Sequence, residues 1–238
     1  YTDAVSIYDP SANSWSSGKK LPAKAGYGGA IYSPSANSIF YVGGVKSSTA
    51  SSSNFIGKVF AFSVSSDSWD AGTAMPDKTA YFGMATDDSG NKVYISGGSF
   101  WYNDEEYPYP GTLIFNTATK AFEETALSPP SPANRVNSNA VFSNGSLYLL
   151  EGEGVRTVDQ YTVASDEWYE VNFPLSDGTN YAFVSDGAHG GINGKFYVTD
   201  GLDVFEYDPS SNTWAKKYGQ GASSKSYLAS GVWDGKIV

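Results

Sequence analysis

Apolar residues in this chain come in short runs that stop abruptly at small or turn-forming residues. Ile39-Phe40-Tyr41-Val42 ends on Gly43-Gly44, and Val93-Tyr94-Ile95-Ser96 ends on Gly97-Gly98. Leu147-Tyr148-Leu149-Leu150 ends on Glu151-Gly152, and Phe196-Tyr197-Val198-Thr199 ends on Asp200-Gly201. No stretch sustains a 3.6-residue apolar period, so the chain predicts no helix longer than a turn. Short runs rich in Val, Ile, Tyr and Phe, bounded by Gly, Pro, Asn and Asp, predict β-strands. Before each run lies a stretch rich in small residues, such as Tyr27-Gly28-Gly29-Ala30 or Gly187-Ala188-His189-Gly190-Gly191. Asn144-Gly145, Asn193-Gly194 and Asp234-Gly235 punctuate the gap with residues that accept the positive φ of tight hairpins.

The pattern recurs as a sentence. Val5-Ser6-Ile7-Tyr8-Asp9-Pro10-Ser11-Ala12-Asn13-Ser14-Trp15 returns as Val204-Phe205-Glu206-Tyr207-Asp208-Pro209-Ser210-Ser211-Asn212-Thr213-Trp214. Weaker copies end at Trp69, Phe122 and Trp168, so the anchoring aromatics at 15, 69, 122, 168 and 214 are spaced by 54, 53, 46 and 46 residues. A fixed period of this size marks an array of one supersecondary unit. Each unit reads as four short antiparallel strands. Four-stranded sheets repeated around a centre make a β-propeller. The small-residue strand belongs innermost, where blades crowd, and the Trp-bearing strand outermost, wedged between neighbouring blades.

The apolar strand ending in Gly-Gly, the variable loop, the Tyr-bearing strand and the Trp some seven residues later resemble the Kelch repeat, over essentially the whole chain. The resemblance implies a propeller of the galactose-oxidase-like type. Glu151-Gly152 and Asp200-Gly201 depart from Gly-Gly, and Phe122 replaces a Trp. The chain opens on the last two strands of a unit and stops after the first strand and the start of the second. The expected architecture is therefore all-β: a single five-bladed propeller over 1–238, with blades near 27–70, 80–123, 137–169 and 186–215. The fifth blade is shared between 1–16 and 226–238, so that the N- and C-terminal strands pair. A fragment of a larger propeller is the alternative. Five units over 238 residues give about 48 residues per blade, within the range of this repeat class.

A net charge of −10 argues against nucleic acid as partner, because that needs a basic footprint. No apolar run approaches a membrane span. With no cysteine there is no disulfide, thiolate metal site or Cys nucleophile. The start at Tyr1 and the acidic, thiol-free composition lead us to expect a secreted, extracellular protein.

Candidate chemistry lies where the repeat is broken. The segment Ser99-Phe100-Trp101-Tyr102-Asn103-Asp104-Glu105-Glu106-Tyr107-Pro108-Tyr109-Pro110 is an aromatic, acidic, proline-stiffened loop. Trp101, Tyr102, Asp104, Glu105 and Tyr107 suit sugar rings or cationic groups, or they cover their own backbone. Lys46 to Ser53 reads as a polar, low-complexity, mobile loop. Arg135 and Arg156, the only arginines, fall on the long-loop face of one blade; they either fork onto an anion or pair with Glu151, Glu153 or Asp159. Tyr27, Tyr81 and Tyr227 sit where innermost strands begin, and Tyr181 leads to the fourth. They form a binding rim or fill gaps between blades.

His189, the single histidine, cannot build a multi-histidine metal centre, so a copper radical oxidase is disfavoured. It is either a channel residue or a general base. Asn144-Gly145-Ser146 is a glycosylation sequon, but its Asn-Gly is better explained as a hairpin turn. Asp87-Asp88-Ser89-Gly90-Asn91 reads as a turn rather than a calcium loop. No metal or cofactor is expected. The functional expectation is a binding propeller that takes a glycan or a protein segment on its long-loop face. An enzyme acting on a sugar or small metabolite at the channel mouth, using His189, and a structural assembly module are the alternatives.

Overall fold

The computed structural model describes residues 1–49, 51–123, 135–152, 155–171, 189–199, 203–219, 232–233 and 236–237. Of these, 151–152, 155–157, 189, 199, 218–219, 232–233 and 236–237 are described by backbone alone. The described residues are all-β, with one 3₁₀ turn at Ser52–Asn54. A first hairpin pairs β1 (Ser6–Asp9) with β2 (Ser14–Ser17). The next sheet runs β3 (Gly29–Ser33), β4 (Ser38–Val42), β5 (Lys58–Ser63) and β6 (Ser68–Trp69), with β7 (Thr73–Ala74) also on β5. After β8 (Thr79–Ala80) come β9 (Gly83–Thr86), β10 (Lys92–Ser96), β11 (Ser99–Tyr102), β12 (Glu105–Pro108), β13 (Thr112–Asn116) and β14 (Ala121–Glu123). Of these, β9, β10, β13 and β14 form a second four-stranded sheet, and β12, β11 and β8 a small three-stranded one.

The third sheet is β15 (Asn139–Ser143), β16 (Ser146–Gly152), β17 (Val155–Thr162) and β18 (Glu167–Val171). The fourth is β19 (His189–Ile192), β20 (Lys195–Thr199), β21 (Asp203–Asp208) and β22 (Thr213–Gly219). A last hairpin joins β23 (Val232–Trp233) and β24 (Lys236–Ile237).

The recurring sentence is a hairpin with a cross-strand aromatic pair. Tyr8 faces Trp15, Phe62 Trp69, Phe115 Phe122, Tyr161 Trp168 and Tyr207 Trp214, with ring centroids 5.1, 5.2, 5.2, 5.3 and 4.8 Å apart. Directly opposed aromatics stabilise a strand pair, and Phe122 serves as well as Trp. The turn itself is closed by side chains. Asp9 Oδ1 accepts from the Ser11 and Ala12 amides, Asn13 takes φ +47°, and the Tyr8 hydroxyl donates to Asn13 Oδ1 at 2.7 Å. Asp208, Asn212 and Tyr207 repeat this.

Alternation along the strands gives each sheet two apolar faces, and the sheets stack in chain order. Phe40, Val42 and Val59 of one meet Val93, Ile95 and Leu113 of the next. Tyr94 and Ile114 on that sheet's other face meet Leu147, Leu149 and Tyr161. Tyr148, Leu150 and Val158 then meet Phe196, Phe205 and Trp214. The first strands lie side by side in succession: β3 by β9, β9 by β15, β15 by β19, β19 by β23. They approach closely enough that a Cβ on Gly83 would stand 2.9 Å from the Asn139 carbonyl carbon. That is why these strands are built from small residues.

Gly43-Gly44 and Gly97-Gly98 all take positive φ, from +53° to +88°, and a Cβ at Gly43 or Gly98 would run into the carbonyl of Thr79 or Ala80. Only glycine satisfies both demands. Where Glu151 replaces the first glycine, β16 runs on to Gly152 through an irregularity after Leu150.

One expectation changes. The segment expected to be a proline-stiffened loop is mostly the β11–β12 hairpin, turning at Asn103-Asp104 with φ of +48° and +65°. At the Lys46–Ser53 loop, expected to be mobile, the buried Asn54 bonds Ser47 through both ends of its amide and accepts the Lys46 amide at 2.9 Å on its carbonyl. No helix among the described residues is long and apolar enough to cross a membrane.

Candidate functional site

The loops entering β3, β9 and β15 carry one unusual residue each. Tyr27, Tyr81 and Asn137 take φ of +57°, +60° and +58°. For a bulky aromatic this conformation is an outlier and costs free energy. It is held by backbone hydrogen bonds in series: the Tyr81 amide donates to the Tyr27 carbonyl at 2.9 Å, and the Asn137 amide to the Tyr81 carbonyl at 2.7 Å. The left-handed turn throws the tyrosine rings together. Tyr27 and Tyr81 lie 4.7 Å apart, and Tyr1 meets Tyr27 edge-on at 6.1 Å. Tyr27 and Tyr1 remain half exposed.

The β11–β12 hairpin brings its own residues to this cluster. Trp101 faces Glu106 across the hairpin and packs beside Tyr81 over Val45, Phe55 and Ala80, its ring 6.3 Å from Phe55. Ser99 Oγ donates to Glu106 Oε1 at 2.5 Å. Burial first, then the nearby Glu106 carboxylate and the Tyr1 and Tyr27 phenols, push the Tyr81 phenol up to about 12. It therefore keeps its proton well past the range where an ordinary phenol loses it. The hairpin's other face carries Phe100, Tyr102, Glu105 and Tyr107, by the same register. Tyr102 and Tyr107 are exposed, and the Tyr107 hydroxyl donates to Glu105 Oε2 at 2.8 Å, which raises that phenol. Asp104 is exposed in the turn.

The structure thus joins Tyr27, Tyr81 and Trp101 and places Tyr102, Glu105 and Tyr107 on the reverse side of the hairpin. It keeps Arg135 apart. That side chain is 3% exposed, and its Nη2 lies 2.6 Å from Asp159 Oδ2, itself 0% exposed. Of the two readings of Arg135, internal pairing is the one the geometry matches; its guanidinium points into the protein, not toward a ligand on the surface. The backbones of Arg156 and His189 lie in β17 and β19, but their side chains, with Tyr181 and Tyr227, lie outside the described residues. Asn144 turns the β15–β16 hairpin with φ +51°, and its Nδ2 donates to the Gly194 carbonyl at 3.2 Å. Asp87 likewise closes a hairpin, accepting from the Lys92 amide. No group of three or more metal-ligating side chains occurs among the described residues.

Sequence reasoning passed over Tyr1, Phe55, Phe100 and Glu106. One signal was present for the last two. Asn103-Asp104 between alternating residues is a hairpin turn, and it sorts 99–108 into two faces.

No protein-family model matches the chain. Among curated proteins it is similar to the Kelch-like protein terF of Aspergillus terreus, with 23% identity over 232 residues. The match covers 90% of this chain and 49% of that protein, so the chain spans about half the length of its relative.

Proposed function

We propose that the chain is a Kelch-type, five-bladed propeller that binds a protein segment on the face formed by Tyr1, Tyr27, Tyr81, Trp101 and Glu106. The repeat phase, the similarity to a Kelch-like protein and the side-by-side succession of β3, β9, β15, β19 and β23 support the ring. The fifth blade is assembled from β1–β2 and β23–β24. Supporting this, β1–β2 carries the outer-hairpin aromatic pair, and β23 lies beside β19 as the first strand of a next unit would.

The observation that carries the binding reading is the pair of left-handed tyrosines. Strained residues held by their surroundings cluster at ligand sites, and rigid aromatics with a few polar groups are efficient contact surfaces. The acidic, thiol-free composition supports a place outside the cell. Panning the protein against a displayed peptide library, with a glycan array in parallel, tests the assignment. Selected peptides should bind at least about tenfold more weakly to Tyr27→Ala and Trp101→Ala, a loss of the size expected at an aromatic anchor. Ligands indifferent to both substitutions would refute the face. Retention on the glycan array alone would replace the protein segment by a sugar.

A further inference from the structure

The small sheet β12–β11–β8 ends on an open edge. Among the described residues β12 pairs only with β11, and three of its four residues are exposed, with Pro108 half-buried. Which backbone groups face outward follows from the hairpin. Tyr102 and Glu105 flank the two-residue turn and exchange hydrogen bonds, and bonded pairs then alternate. Trp101–Glu106 and Ser99–Pro108 are therefore the non-bonded pairs. Pro108, which has no N–H, suits that position. The Tyr109 amide donates to the Gly98 carbonyl at 2.8 Å in the next bonded pair, as this parity requires. The Glu106 N–H and C=O and the Pro108 C=O thus point away from β11.

Charge says what would pair there. The hairpin carries Asp104, Glu105 and Glu106 with no Lys or Arg between residues 99 and 110. None of the three forms an ion pair among the described residues. Their hydrogen bonds come from neutral hydroxyls, Ser99 to Glu106 and Tyr107 to Glu105. Beside Glu105, the rings of Phe100, Tyr102 and Tyr107 lie within 6.5 Å of one another in pairs centred on Phe100, with Tyr102 and Tyr107 open to solvent. An aromatic face next to a carboxylate is where a lysine or arginine side chain gains both a charge partner and a π-face. Glutamates on an edge also discourage a second copy of this acidic chain from adding there.

We propose that β12 accepts an extended basic segment of a partner protein as an added strand. The segment's backbone bonds to Glu106 and Pro108, and cations at every second residue lie over the Tyr102–Glu105–Tyr107 face. Strand addition takes affinity from main-chain bonds and specificity from alternate side chains. The proposal rests on the reading of this region as a protein-binding surface: cations of the added strand use the reverse side of the hairpin, and its alternate residues fall on the Trp101–Glu106 side described above.

The test is fluorescence anisotropy at low ionic strength, using a labelled octapeptide that alternates lysine and threonine. The same peptide with glutamate for lysine should bind at least about tenfold more weakly, and so should the lysine peptide N-methylated at alternate backbone amides, since each loses a net-favourable contact set. Glu105→Gln, at an exposed position, should weaken the lysine peptide about threefold while leaving the unfolding midpoint unchanged. Equal binding of the N-methylated peptide, or of the glutamate peptide, would overturn strand addition by a basic segment. If library peptides bind through Tyr27 and Trp101 while the lysine octapeptide does not, the edge assignment alone falls. If neither binds, the face itself falls with it.

Discussion

Removing the carboxylate of Asp159 should be one of the costliest single changes in this protein. Arg135 Nη2 and Asp159 Oδ2 are 2.6 Å apart at 3% and 0% exposure, so water cannot replace the lost partner. Asp159→Ala removes an ion-pair partner from a buried guanidinium, at a cost of about 3–5 kcal/mol. Against the roughly 5–15 kcal/mol typical of a whole domain, that is a large share. It corresponds to a fall in Tm of roughly 6–20 °C for a chain of this size.

The damage should spread. The Arg135 carbonyl accepts the Gly98 amide at 2.8 Å, so the residue ties the Gly97-Gly98 turn, and the hairpin launched from it, to the next sheet. Urea unfolding followed by tryptophan fluorescence and circular dichroism would measure the loss. The double variant Arg135→Met/Asp159→Leu should recover most of it, because apolar residues of similar volume often replace a buried pair without penalty. Lys19→Ala, at the exposed Lys19–Asp67 pair, is the control and should change stability by less than about 0.5 kcal/mol. An Asp159→Ala cost near that of the control, or a double variant no better than the single, would refute the reasoning.

Trp214→Ala should cost about 3–5 kcal/mol, whereas Trp15→Ala, the same motif position but 71% exposed, should fall within about 0.5 kcal/mol; paired denaturation curves decide it. Gly98→Ala, with φ at +83° and no room for a Cβ, should destabilise by more than about 1 kcal/mol and alter the near-ultraviolet dichroism of the neighbouring aromatics. Tyr81, with Tyr41, Tyr94 and Tyr148, has a phenol raised to about 12, mainly by burial. The stability they confer is fully present below the ordinary value near 10 and is lost as pH rises through 12. Phenolate absorbance should show a late-titrating group that Tyr81→Phe removes.

At the acid end, burial pushes Glu206 up, but hydrogen bonds from Tyr197, Lys217 and Lys195 outweigh it and hold the carboxyl below its ordinary 4.5. Its contribution is present above that value and lost as pH falls below it, so Lys195→Met should flatten the acid limb of the stability curve.

What the chain by itself determined is everything whose cause is local. The in-phase recurrence places each Tyr or Phe opposite its Trp or Phe because seven residues are what two strand positions and a side-chain-closed turn require. Gly43-Gly44 and Gly97-Gly98 announce left-handed backbone with no room for a Cβ. The strand order within the third and fourth sheets follows from short hairpins. The broken copies are legible too: Glu151 in place of glycine marks the strand that continues instead of turning.

Only the tertiary structure decided which of two equally written residues is buried, and which charge answers which. Trp15 and Trp214 end the same sentence, but just one has a neighbouring sheet packed over it among the described residues. Arg135 finds Asp159 24 positions away, and Tyr81 meets Tyr27 and Glu106 across 54 and 25 positions, through sheets stacked face to face. Periodicity reports which way a side chain points from its own strand. It does not report what stands opposite, because that depends on how separate sheets dock, and docking is where this protein acquires both its buried ion pair and its aromatic, acidic face.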